Sequence, residues 1–70
     1  MSEGQKNFRI LKRPEVEYLT GLSRSSIYAR IKAGTFPAQV WLGQRSVGWL
    51  ESDIQGWFND RISESRGSVQ

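Results

Sequence analysis

Gly21-Leu22-Ser23 constrains this chain most tightly, because it separates two short stretches that each carry the grammar of a helix. Upstream, Pro14 suits a first helical position, where a missing N–H costs nothing, and Glu15 and Glu17 suit the positive end of the helix dipole. Val16 and Leu19 fall three apart on one face, and Gly21 is placed to end the helix in the left-handed conformation. Leu22 plugs the turn. Ser23 is a natural N-cap, its hydroxyl accepting from the amide of Ser25 or Ser26. The spacing predicts a second helix over Arg24–Ala33 with Ile27 and Ile31 as its buried stripe, closed by Gly34 and barred from continuing by Pro37. Two short helices joined by such a glycine-containing turn are the helix-turn-helix pattern.

Beyond Pro37 the chain reads as a wing. Val40-Trp41-Leu42 and Ser46-Val47-Gly48-Trp49 are β-branched and aromatic segments around Gly43-Gln44-Arg45, the signature of a hairpin. A period of two places Val40, Leu42, Val47 and Trp49 inward and Trp41 on the other face. Ser52 and Gln55 resemble a capping box that opens a last helix, whose apolar face is Leu50, Ile54, Trp57, Phe58 and Ile62, with Gly56 opposite. Phe8–Leu11 is an extended lead-in. The expected fold is mainly α with a small β-hairpin: helix, turn, helix, two-stranded wing, C-terminal helix, a winged helix-turn-helix over residues 8–62.

Seventy residues allow one small domain. Polar Met1–Asn7 and serine-rich Ser63–Gln70 are expected to be disordered, since neither buries enough to offset its ordering entropy. The absence of Cys and His excludes disulfides, thiolate metal sites and the usual general base, so no metal, cofactor or small-molecule substrate is expected. Catalysis would need two carboxylates unaided, yet Glu15 and Glu17 point to opposite helix faces, as do Glu51 and Asp53; the chain reads as a non-enzyme. No membrane span or signal peptide is visible, and the chain reads as cytoplasmic. The formal charge is +3, and its arrangement is telling: no acid lies between Glu17 and Glu51, an interval holding Arg24, Arg30, Lys32 and Arg45. The acids Glu51, Asp53, Asp60 and Glu64 gather at the C-terminal end. This is the footprint of a nucleic-acid binder.

Pro14-Glu15-Val16, Thr20–Tyr28, Ile31–Pro37 and Leu42–Trp49, in that order, resemble the AlpA family of prophage and integrative-element regulators over about Arg9–Ile62. The resemblance implies a DNA-binding fold similar to that of MerR-type regulators and phage excisionases. It also implies sequence-specific binding of double-stranded DNA in transcriptional control of an integrase or excision gene. An architectural role in excision, as a recombination directionality factor, is the alternative it carries.

With Ile27 and Ile31 facing the core, Ser25, Ala29 and Lys32 fall nearly opposite, with Tyr28 and Ser26 on the flanks. The N-terminal part of the second helix reads base edges in this motif, so Arg24, Ser25, Ser26 and Tyr28 are the candidate readers. Arg30, Lys32 and Arg13, with Lys12, are candidate phosphate contacts. Arg45 and Gln44 at the wing tip are placed for a neighbouring backbone or minor groove. Trp49, Trp57 and Phe58 read as core and Tyr18 as an outward surface aromatic. Trp41 stays open between a DNA contact, a contact between protomers and a cover for the hairpin's back face. So small a domain carries too little base readout to pick one genomic site alone, which points to copies on adjacent sites, with an integrase or RNA polymerase as further partners. A different class of function, a protein-interaction module using Trp41, Tyr18 and the acidic last helix, competes with DNA binding.

Overall fold

The computed structural model describes residues 9–67. Six elements succeed one another: β1 (Ile10–Lys12), α1 (Arg13–Thr20), α2 (Arg24–Ala33), β2 (Val40–Trp41), β3 (Val47–Leu50) and α3 (Glu51–Gly67). The expectation for Met1–Asn7 lies outside the described residues.

The helix-turn-helix forms as its punctuation dictates. Gly21 adopts φ +74° and its N–H donates to the Glu17 carbonyl at 2.8 Å. The Thr20 hydroxyl donates to Val16 O at 2.7 Å and accepts from the Leu22 N–H at 3.2 Å, so the turn is hydrogen-bonded from within. The Ser23 Oγ accepts from the Ser26 N–H at 3.1 Å, and α2 ends at Gly34, φ +81°, where the Thr35 N–H bonds to Arg30 O at 2.8 Å. Pro14 stands second in α1 rather than first, because β1 runs directly into the helix with no linker.

The sheet differs from a two-stranded wing. Its order is β1-β3-β2, all antiparallel, so the lead-in strand pairs with β3 and makes β3 central. The register sets Leu11 opposite Trp49 and Trp41 opposite Val47. Directly opposed residues share a face, and faces alternate along a strand. Trp41 therefore lies on the face of Leu11, Val47 and Trp49, while Val40 shares the outer face with Gly48. This reverses the expected facing of β2. The turn is the cause: the Leu42 N–H donates to Ser46 O at 2.7 Å, and that closure pairs Val40 with Gly48 rather than with an inward residue.

Leu11, Val16, Ile27, Phe36, Trp49 and Ile54 form the core, with Leu22, Tyr28, Ile31, Val47, Trp57 and Phe58 packed partly buried around it. Trp49 is fully buried as expected, whereas Trp57 and Phe58 sit at the rim. Leu19 is 46% exposed. A spacing of three leaves it about 60° round the helix from Val16, past the edge of what the sheet covers. Phe36, in the loop after α2, fills the core place that the sequence pattern does not assign.

α3 begins at Glu51, one residue before the expected Ser52 cap, and Leu50 belongs to β3. The Glu51 N–H donates to Arg9 O at 2.8 Å, so an extension of the strand ladder takes the place of a capping box. The helix runs on to Gly67, where a disordered tail is expected from Ser63; residues 68–70 lie outside the described residues. Arg61 and Glu64, 2.9 Å apart, brace this extension one turn beyond the core. Ile62, expected on the buried face, is 46% exposed there.

Candidate nucleic-acid interface

α2 presents a face with no carboxylate. Ile27 is fully buried and Ile31 half-buried, which turns Arg24, Ser25, Ala29 and Lys32 to solvent. Arg24, Arg30 and Lys32 form no ion pair among the described residues, so their charge is free to meet an external anion. Ser25 and Ala29, four apart, make the middle of this face shallow, and a helix with a shallow face can approach a groove floor closely.

The other expected readers are placed differently. The Ser26 N–H is held by the Ser23 hydroxyl, which also donates to the Ser26 Oγ at 3.2 Å. The Tyr28 ring packs half-buried, its centroid 6.4 Å from that of Trp49 at 54°, so it joins the helix to the core as well as flanking the exposed face. Arg13 is half-buried and donates from Nε to Glu17 Oε2 at 3.2 Å, an i,i+4 pair within α1, so it is not a free cation. Lys12 beside it is exposed.

At the wing, Gly43, Gln44 and Arg45 are all exposed on the turn between β2 and β3. Trp41 is 64% exposed although it shares the core-facing side of the sheet, because it stands beyond the point where the helices cover that face. Tyr18 is 86% exposed. The carboxylates are elsewhere, and three are occupied: Glu17 by Arg13, Glu51 by Arg9 at 3.6 Å, Glu64 by Arg61. Sequence reasoning misses a groove lined by the Gly34–Pro37 loop and the first half of α3. Its signal is present in Phe36-Pro37 and, further on, Gly56-Trp57, but only the fold brings these together. Among the described residues there is no cluster of metal-ligating side chains, and no helix is long and apolar enough to cross a membrane.

A helix pair on a three-residue turn, a β-hairpin on a small sheet and a closing helix define a winged helix-turn-helix protein. The chain belongs to the AlpA family: the family model described as the Prophage CP4-57 regulatory protein (AlpA) matches residues 9–62. It is 51% identical over 55 residues to "Uncharacterized protein ORF88" of Enterobacteria phage P4, covering 79% of this chain and 62% of that protein. It is 39% identical over 59 residues to the "DNA-binding transcriptional activator AlpA" of Escherichia coli strain K12, covering 76% of this chain and 84% of that protein. The chain thus spans less than two thirds of the phage relative's length. No solved structure matches it.

Proposed function

We propose that the protein is a sequence-specific double-stranded DNA-binding regulator of a prophage or integrative element. α2 lies in the major groove, and the Gln44-Arg45 tip of the wing touches the adjacent backbone or minor groove. The observation that carries this is the exposed face of α2, where Arg24 and Lys32, with half-buried Arg30 at its edge, are unpaired among the described residues and no acid interrupts them. A helix with such a face, set between a tight turn and a wing, has the geometry by which helix-turn-helix proteins read base edges. Membership of the AlpA family and identity to a relative described as a DNA-binding transcriptional activator support the same reading.

In this arrangement Arg24 at the start of α2 reads a guanine edge, and Ser25 and Ala29 allow close approach, Ala29 meeting a thymine methyl. Arg30 and Lys32 hold phosphates on either side. Titration of the protein with duplex at increasing salt tests the proposal. With about four phosphates neutralised, log K falls against log salt with a slope of about −3.5. Binding that is absent, or flat with salt, removes it. Mapping the bound sequence then separates regulation from excision: a site overlapping a promoter belongs to transcription, and repeated sites beside a recombination attachment site to excision.

A further inference from the structure

A groove of about 610 Å³ runs between the Gly34–Pro37 loop and the first half of α3. Its wall is aromatic. Phe36 and Trp57 meet edge to face with centroids 5.1 Å apart, and the Trp57 Nε1 donates to Thr35 O at 3.1 Å, which fixes the indole. Its mouth carries three charged groups, Asp53, Asp60 and Arg61. The Arg61 guanidinium lies 5.6 Å from the Trp57 ring centroid and pairs with Glu64 at 2.9 Å, which leaves the two aspartates as the unpaired charges. Asp53 and Asp60 are two turns apart on the same side of α3, both exposed, and neither is ion-paired among the described residues. Gly56 lies between them, and a Cβ built there meets nothing within 4 Å. Packing does not require this glycine; its effect is to leave the groove open.

The duplex does not fit here, because two free carboxylates repel phosphates. The wing does. Trp41 stands 64% exposed on β2, an edge strand, and the only charge between Val40 and Leu50 is the positive one of Arg45. We propose that the groove receives the wing of a second copy of the chain. On adjacent sites Trp41 of one copy rests on Trp57 of the next, and Arg45 exchanges its proposed contact with the duplex for Asp53 and Asp60. The contact rests on the proposed DNA-binding role, and it joins copies on adjacent sites. The two surfaces are different patches, so the contact is head to tail and propagates along the DNA instead of closing into a dimer. It supplies the selectivity that one small domain lacks.

The test compares duplexes carrying one and two adjacent copies of a sequence selected by the protein from a random pool. The two-site duplex is expected to bind at least about tenfold more tightly per copy than the single site, a coupling of about 1.4 kcal/mol. Trp41→Ala and Gly56→Leu are each expected to leave single-site affinity within about threefold and to abolish the advantage of two sites. A Cβ at Gly56 meets nothing within 4 Å, so Gly56→Leu directs its side chain into the groove, and a thermal melt of the variant checks that the fold is kept. Independent binding by the unaltered protein, coupling that survives Gly56→Leu, or loss of single-site affinity in Trp41→Ala would overturn the proposal.

Because the chain has no cysteine, Gln44→Cys and Asp60→Cys variants report the contact directly. An equimolar mixture on two-site DNA should form the mixed disulfide faster than either variant crosslinks to itself, and equal rates reject the contact. Should the protein bind no duplex at all, the DNA-binding role fails. The same mixture without DNA, at about millimolar protein, then decides the contact alone: preferential mixed crosslinking supports it and its absence rejects it.

Discussion

The indole Nε1 of Trp49 donates to the carbonyl oxygen of Pro37 at 2.9 Å, tying the central strand to the loop that ends the second helix. The same indole is fully buried and meets the Tyr28 ring on its way past α2. One residue of the wing thus fixes both the start and the finish of the path from α2 to β3. This side chain ties the helix face to the wing, and the proposed two-point contact with DNA depends on their relative placement.

Trp49→Phe keeps most of the buried ring and removes the donor. The Pro37 carbonyl is left without that partner, which should destabilise the protein by about 1–3 kcal/mol. A urea denaturation curve checks it through a lowered midpoint at unchanged slope. An unchanged midpoint would show that the hydrogen bond contributes nothing net.

Two glycines make opposite predictions. A Cβ at Gly48 would overlap Ile10 Cγ2 and press on Leu11 O and Leu42 Cδ1, each at 3.1 Å. The backbone oxygen cannot give way without disturbing the β1–β3 ladder. Gly48→Ala should therefore destabilise by about 1–3 kcal/mol, as overpacking does. Gly56→Ala adds a methyl in open space inside a helix and should stabilise by about 1 kcal/mol. Thermal melts of the two variants should move in opposite directions.

Much of this fold is legible in local chemistry, and the failures share one origin. Gly21, Ser23 and Gly34 act through their own backbone, so α2 is bounded correctly and its core residue Ile27 follows from periodicity. Facing and partnership depend on residues far along the chain. The phase of Trp41 hangs on how the turn closes at Leu42 and Ser46, and two short runs of period two do not reveal their mutual offset. β1 becomes a strand only because β3 offers a free edge. Phe36 is a loop residue with no period at all. At the candidate site, Arg24, Ser25 and Lys32 are exposed as a helical wheel suggests, but the Tyr28 contact with Trp49 and the Arg13 pair with Glu17 are tertiary and local choices that composition does not settle.

Ser23 offers a test of the turn separate from recognition. Its hydroxyl accepts from the Ser26 N–H at the mouth of α2, so Ser23→Ala leaves that amide without its cap and should lower stability by about 1 kcal/mol. For a domain of this size the melting temperature should fall by about 4–8 °C. Ser23→Asp, which restores an acceptor and adds charge at the positive helix end, should recover the stability. A melt that does not distinguish Ala from Asp would show that the cap does not set where α2 begins.

Arg24 and Lys32 lie on the same exposed face of α2 but should fail in different ways. Arg24 opens the helix and Lys32 sits in its last turn; in the proposed mode the guanidinium reaches base edges and the ammonium meets phosphate as a point charge. Arg24→Ala should weaken binding to the selected sequence by about 1–3 kcal/mol while changing affinity for scrambled duplex much less, so the ratio between them falls. Lys32→Ala should weaken both duplexes alike and make the salt slope shallower by about one. Tyr28→Phe serves as a control, because it keeps the ring against Trp49 and removes only the hydroxyl. Its melt should stay close to that of the unaltered protein, and any loss of sequence preference then belongs to the phenol itself. If Arg24→Ala and Lys32→Ala lower both duplexes equally, base reading does not come from the start of α2, and specificity must be sought in the wing.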